Sequence, residues 1–108
     1  MRKGDIVLVP FPFTDLSGQK VRPALVLFAS PRGEDCTVAF ISSRARVRMH
    51  TFDVAITASK KNGLKFDSTL KLDKMATLQK KIIIGKLGAL DSTLLKIVNA
   101  KLIALFKL

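Results

Sequence analysis

Apolar positions in this chain come in short, strand-length runs, broken at close intervals by glycine, proline and charged residues. Ile6, Val7, Leu8 and Val9 open a first strand, which the prolines at 10 and 12 are expected to stop. Residues 14–20 carry turn chemistry and read as a polar loop. Residues 23–28 are apolar at successive positions, as in a strand buried on both faces. Residues 31–35 make the next turn, and residues 36–42 form a third strand, β-branched and aromatic as strands prefer. Residues 52–56 alternate again before a turn at Lys60, Lys61, Asn62 and Gly63. Two short strands are expected at 68–72 and 75–78, and another at 80–84, closed by Gly85 and Gly88.

The period changes near the end of the chain. Asp91 or Ser92 can cap a helix in which Leu94, Leu95, Val98, Leu102 and Leu105 recur at helical spacing. Ile97, Ile103 and Phe106 widen its apolar stripe, so the helix is expected to pack on the sheet and is able to cover a dimer seam. Many short strands with one terminal helix indicate a mainly β (α+β) fold, a small, partly open β-barrel.

The 108 residues, 48% of them apolar, suffice for one domain (1–108) with one core. No apolar run approaches the roughly 20 residues that span a bilayer, and the N-terminus lacks a signal peptide's apolar stretch. A cytoplasmic protein is expected. Cys36 is the only cysteine and His50 the only histidine, so neither an intrachain disulfide nor a zinc site built from those types fits.

Charge narrows the choice of partner. The net charge of +11 favours a polyanion such as nucleic acid, an anionic lipid surface or an acidic protein. All six arginines lie in the first half of the chain and eleven of the thirteen lysines in the second, a sorting that solubility does not require. Arginine's forked guanidinium is the better phosphate clamp, which directs attention to the first half.

Three stretches together resemble the PemK/MazF toxins, ribonucleases paired with antitoxins. The first runs from Gly4 and Asp5 through Ile6, Val7, Leu8 and Val9 to Arg22, Pro23 and Ala24. The second is the strand Val38, Ala39, Phe40 and Ile41 ending in Ser42 and Ser43. The third is Lys71, Leu72, Asp73, Lys74, Met75, Ala76, Thr77 and Leu78, and the terminal helix matches in place and character. The resemblance implies an SH3-like barrel that dimerises and is neutralised by an antitoxin whose tail wraps the dimer. It also implies metal-independent cleavage of single-stranded RNA, often messenger RNA, at short sequence motifs, with no cofactor. It assigns the active-site arginine to Arg22 and the hydroxyl residue to Ser42, where the family usually has threonine. Lys71 and Asp73 fall where some members carry a basic residue and an acid that help catalysis.

The chemistry is consistent with that assignment. RNA brings its own nucleophile, the 2′-hydroxyl beside the scissile phosphate, so an enzyme need only hold the strand in line, move protons and stabilise charge. Pro23 pushes Arg22 into extended geometry and so helps to fix its direction. Arg22 suits phosphorane stabilisation, with proton donation to the leaving 5′-oxygen, and Ser42 suits hydrogen bonding to a phosphate oxygen. Asp73, Lys71 and His50 all stand as candidates for the general base. Ser43, Arg44, Arg46 and Arg48 are expected to line the RNA path together with Gln19 and Lys20; Phe11 and Phe13 are placed to stack bases. Two other readings share the barrel: a module that grips nucleic acid or an acidic protein without cutting it, and a toxin acting on DNA gyrase. Convergence of Arg22 and Ser42 on one phosphate separates the nuclease from the module.

Overall fold

The computed structural model describes residues 1–11, 20–43 and 48–108, with the backbone alone at Phe11. Six strands form one antiparallel sheet: β1 (Asp5–Phe11), β2 (Lys20–Ala29), β3 (Asp35–Ser42), β4 (Asp53–Ile56), β5 (Ser68–Gln79) and β6 (Gly85–Ala89). Their spatial order is β4-β5-β3-β2-β1-β6. A 3₁₀ turn at Lys80–Ile82 precedes β6, and the helix α1 (Ser92–Phe106) ends the chain. The sheet curls into the half-barrel expected, with the terminal helix against it.

Both faces of the sheet are apolar, as the unbroken runs in β2 and β3 require. Ile6, Leu25, Ile41, Leu70, Leu72 and Val98 of α1 belong to one core. Val7, Val9, Val26, Val38 and Leu78 form a second, on which Ile82 and Ile83 pack. Adjacent residues of one strand, such as Ile6 and Val7, thus serve opposite faces, the period of two that a pleated strand imposes. The helix starts where the sequence signals: Asp91 Oδ1 accepts the Leu94 N–H at 2.8 Å. It ends on Lys107 in the left-handed conformation.

Three elements differ from the sequence reading. Strand β1 runs through Pro10, which pairs with Val21. The Leu8 carbonyl accepts from Ile84 on the β6 side, and Pro10, two residues on, faces the same way beyond the last β1–β6 pair. The missing N–H therefore costs no ladder bond. Residues 68–72 and 75–78 are parts of one long strand, β5, joined by a bulge. Its pairing with β3 steps from Met75 opposite Ala39 to Lys71 opposite Phe40, leaving residues 72–74 without a β3 partner. The strand expected at 80–84 is instead the 3₁₀ turn with Ile83 and Ile84 after it, and the following strand, β6, uses the glycine-rich segment.

The connection from β4 to β5 is held by side chains. Asn62, only 5% exposed, accepts the Ser59 and Leu64 N–H groups at 3.0 Å each and donates from Nδ2 to the Thr57 carbonyl at 2.8 Å. Gly63 has φ +71°, and a Cβ there would lie 2.2 Å from the Leu87 carbonyl oxygen. Gly63→Ala is expected to destabilise by at least about 2 kcal/mol through left-handed strain and clash. That corresponds to roughly 8–16 °C in Tm for a domain of this size. Gly85→Ala, whose Cβ would meet nothing within 4 Å, is the matched control and should be neutral or slightly stabilising. Thermal unfolding of the two variants checks the contrast.

Candidate active site

A cleft lies beside the end of the β2–β3 register. The β1–β2 register sets Leu8 opposite Pro23. Leu8 turns its carbonyl outward to β6, so Pro23 turns its own polar groups away from β1, toward β3. Proline has no N–H to offer there, and the β2–β3 ladder ends one residue earlier, at Ala24 opposite Phe40. Arg22 and Pro23 on β2 and Ile41 and Ser42 on β3, next to that pair, all border a cleft.

Two clefts share lining residues here. The larger, about 810 Å³, is bordered by Lys20, Arg22, Ser42, Ser43, Lys65 and Phe66 among others. The smaller, about 430 Å³, is lined by Arg22, Phe40, Ile41, Ser42, Lys71, Asp73, Lys74 and Met75. Arg22 and Ser42, both half-buried, therefore line both clefts, one from each strand. Both clefts are thus bordered by the same arginine and serine, although 19 intervening residues separate them in the chain.

The β5 bulge supplies the remaining polar groups. It places Asp73 and Lys74, both exposed, and half-buried Lys71 on the wall of the smaller cleft. A bulge re-aims side chains that a regular strand would send to alternate faces. Among the described residues lining either cleft, Asp73 is the only acid. The site is thus an excess of cations and hydroxyls around one carboxylate, suited to holding an anion and exchanging a proton with it.

The other residues singled out from sequence fall as follows. Lys20 and Ser43, both exposed, border the larger cleft. Arg48 and His50 are exposed and line neither cleft; His50 donates its backbone N–H to buried Asp53 at 3.0 Å, a turn contact. The Phe11 side chain, Phe13, Gln19, Arg44 and Arg46 lie outside the described residues. Cys36 is buried in the second core and lines no part of either cleft; burial pushes its thiol up, with Lys80 opposing and Asp35 adding to the shift. It is a packing residue and a poor nucleophile. Among the described residues, no three His, Cys, Asp or Glu side chains gather as a metal site would require. Sequence reasoning does not single out Lys65 and Phe66; the available signal is an aromatic set between Lys65 and Asp67 inside a polar turn.

The fold has counterparts of known structure. The MazF-mt6 toxin of Mycobacterium tuberculosis superposes with TM-score 0.74 at 23% identity, covering 96% of this chain and 97% of its own. MazF from Deinococcus radiodurans gives TM-score 0.77 at 21% identity, covering 100% and 97%. A mycobacterial endoribonuclease solved with its cognate antitoxin gives 0.79 at 15% identity, covering 100% and 96%. No curated protein sequence matches the chain. None of the described helices is long and apolar enough to cross a membrane. Residues 2–106 match the family described as PemK-like, MazF-like toxins of type II toxin–antitoxin systems, and the chain belongs to that family.

Proposed function

We propose that the protein is an endoribonuclease toxin that cuts single-stranded RNA without a metal, by attack of the substrate's own 2′-hydroxyl to leave a 2′,3′-cyclic phosphate. The observation that supports this reading is that Arg22 and Ser42 both line each of two clefts. A strand laid along the groove runs from one cleft to the other and presents one phosphate between them. Arg22 stays protonated at any working pH and stabilises the phosphorane, delivering a proton toward the leaving 5′-oxygen. Ser42 donates to a phosphate oxygen. Asp73 accepts the proton of the 2′-hydroxyl, as the acid that lines the cleft, and Lys71 adds positive charge beside it. Lys20 and Ser43 extend the path for the RNA backbone in the larger cleft.

Two partners complete the proposal. An acidic antitoxin is supported by the family and by the +11 charge. A second copy of the chain is supported by an apolar groove of about 560 Å³ between α1 and the sheet, where Phe28, Ile103 and Phe106 are exposed. Cleavage is expected to take place in the cytoplasm, where both messenger RNA and antitoxin are found.

Purified protein should cut single-stranded RNA in EDTA and leave 2′,3′-cyclic phosphate ends. Arg22→Ala should lower kcat by at least about 10²–10³-fold while thermal unfolding is unchanged, and Ser42→Thr should retain cutting. Retained cutting by Arg22→Ala removes the mechanism; binding across many RNA sequences without cutting replaces the enzyme with a binding module. Ile103→Glu and Phe106→Glu should shift sedimentation from dimer toward monomer, and a dimer that persists in both places the seam elsewhere. The antitoxin should associate more slowly as salt rises, because opposite charge mainly speeds encounter; an on-rate indifferent to salt counts against it.

A further inference from the structure

The β4–β5 connection borders the larger cleft through Gly63, Leu64, Lys65 and Phe66. It buries Leu64 in the core and holds Phe66 outward at 64% exposure. The backbone on either side of that ring is fixed. Asn62 ties the near side through three hydrogen bonds. On the far side, Asp67 Oδ1 accepts the Ala58 N–H at 2.9 Å and Ser68 Oγ donates to the Phe66 carbonyl at 2.7 Å. The Ala89 N–H, bonded to the Lys61 carbonyl at 2.9 Å, anchors the same connection to β6. A phenyl group held outward on so firmly tied a loop contributes little to folding, since its apolar surface stays wet.

The surroundings of Phe66 say what it faces. The exposed rings Phe28 and Phe106 lie in the apolar groove beside α1. Phe66 instead shares its cleft with Lys20, Lys65, Arg22, Ser42 and Ser43, and it is the only aromatic among the described residues that line it. An isolated π-face among cations and hydroxyls matches the way single-stranded nucleic acid is gripped, with charge along the backbone and a ring under a base.

We infer that Phe66 is a stacking platform for an unpaired nucleobase of the strand whose phosphate lies between Arg22 and Ser42, an assignment that rests on the RNA reading above. Because the loop is ordered by its own side chains, little conformational entropy is lost when the base docks. Every base offers a π-face, so the contact supplies affinity and register along the groove and leaves base choice to other residues.

The chain has no tryptophan, which makes a direct readout available. The probe is a mixed-sequence 2′-O-methyl RNA oligonucleotide, which lacks the attacking hydroxyl and stays intact. Phe66→Ala should bind it about 5- to 150-fold more weakly, the range of one lost base–aromatic stack. Phe66→Leu, which keeps apolar bulk without a π-face, should bind as weakly as the alanine variant. Phe66→Trp should bind like the wild type, and its single indole should be quenched when the oligonucleotide is added. Unchanged affinity in Phe66→Ala, or full recovery in Phe66→Leu, overturns the assignment while leaving RNA cutting by the wild type intact as a separate result. Indole quenching in Phe66→Trp alongside a wild type that cuts no RNA retains the platform and removes the nuclease. Failure of the wild type to bind the probe overturns both.

Discussion

A proline that cannot donate to a ladder stands where the register of β2 with β3 ends and the candidate site begins. With Pro23 facing β3, the register between the two central strands runs no further than Ala24 opposite Phe40, next to a residue that has no N–H to donate. The same residue fixes the backbone of Arg22 in extended geometry. Pro23 therefore withholds a donor beside the groove and constrains the backbone of the cation that borders it, at a place where the β1 register already has Leu8 turned away.

Around that site the molecule divides its tasks between regular and irregular structure. The two cores draw mainly on regular stretches of β1 to β5, whose residues alternate between faces, with Leu64, Leu90 and Val98 added to the first. Polar groups of the site come from the ends and breaks of those strands: Arg22 and Ser42 beyond a ladder's last pair, Asp73 and Lys74 in a bulge, Lys65 and Phe66 in a tied connection. Leu87, another residue bordering the larger cleft, lies at the register shift between β1 and β6. Irregularity here is local, and each instance is held by well-packed neighbours.

What can be read from sequence follows the same division. Strands β2 and β3 are legible because their apolar runs are long and β-branched, and α1 because Asp91 and the leucine spacing announce it. Strand β1 reads short because the cost of Pro10 depends on which side its absent N–H faces, a fact of topology. β5 looks like two strands because its bulge is polar. The run Lys80 to Ile84 has strand-like residues, yet burial of Ile82 and Ile83 against the second core is met by a tight turn. β6 carries two glycines and little β-propensity; it exists because Gly88 lets the backbone pass the Lys61 carbonyl, where a Cβ would lie at 2.2 Å. Arg22 and Ser42 are legible through family resemblance, and Phe66 is not, because only coordinates distinguish an outward ring from a buried one.

The tied connection has an evolutionary consequence. Its backbone is set by Asn62, Gly63 and Asp67, whereas the side chains of Lys65 and Phe66 are exposed and carry none of those bonds. Changes at two such positions leave folding free energy nearly untouched, within about ±0.5 kcal/mol for an ordinary surface exchange. Descendants of this chain can therefore vary the chemistry at the rim of the groove without first acquiring compensating mutations in the scaffold.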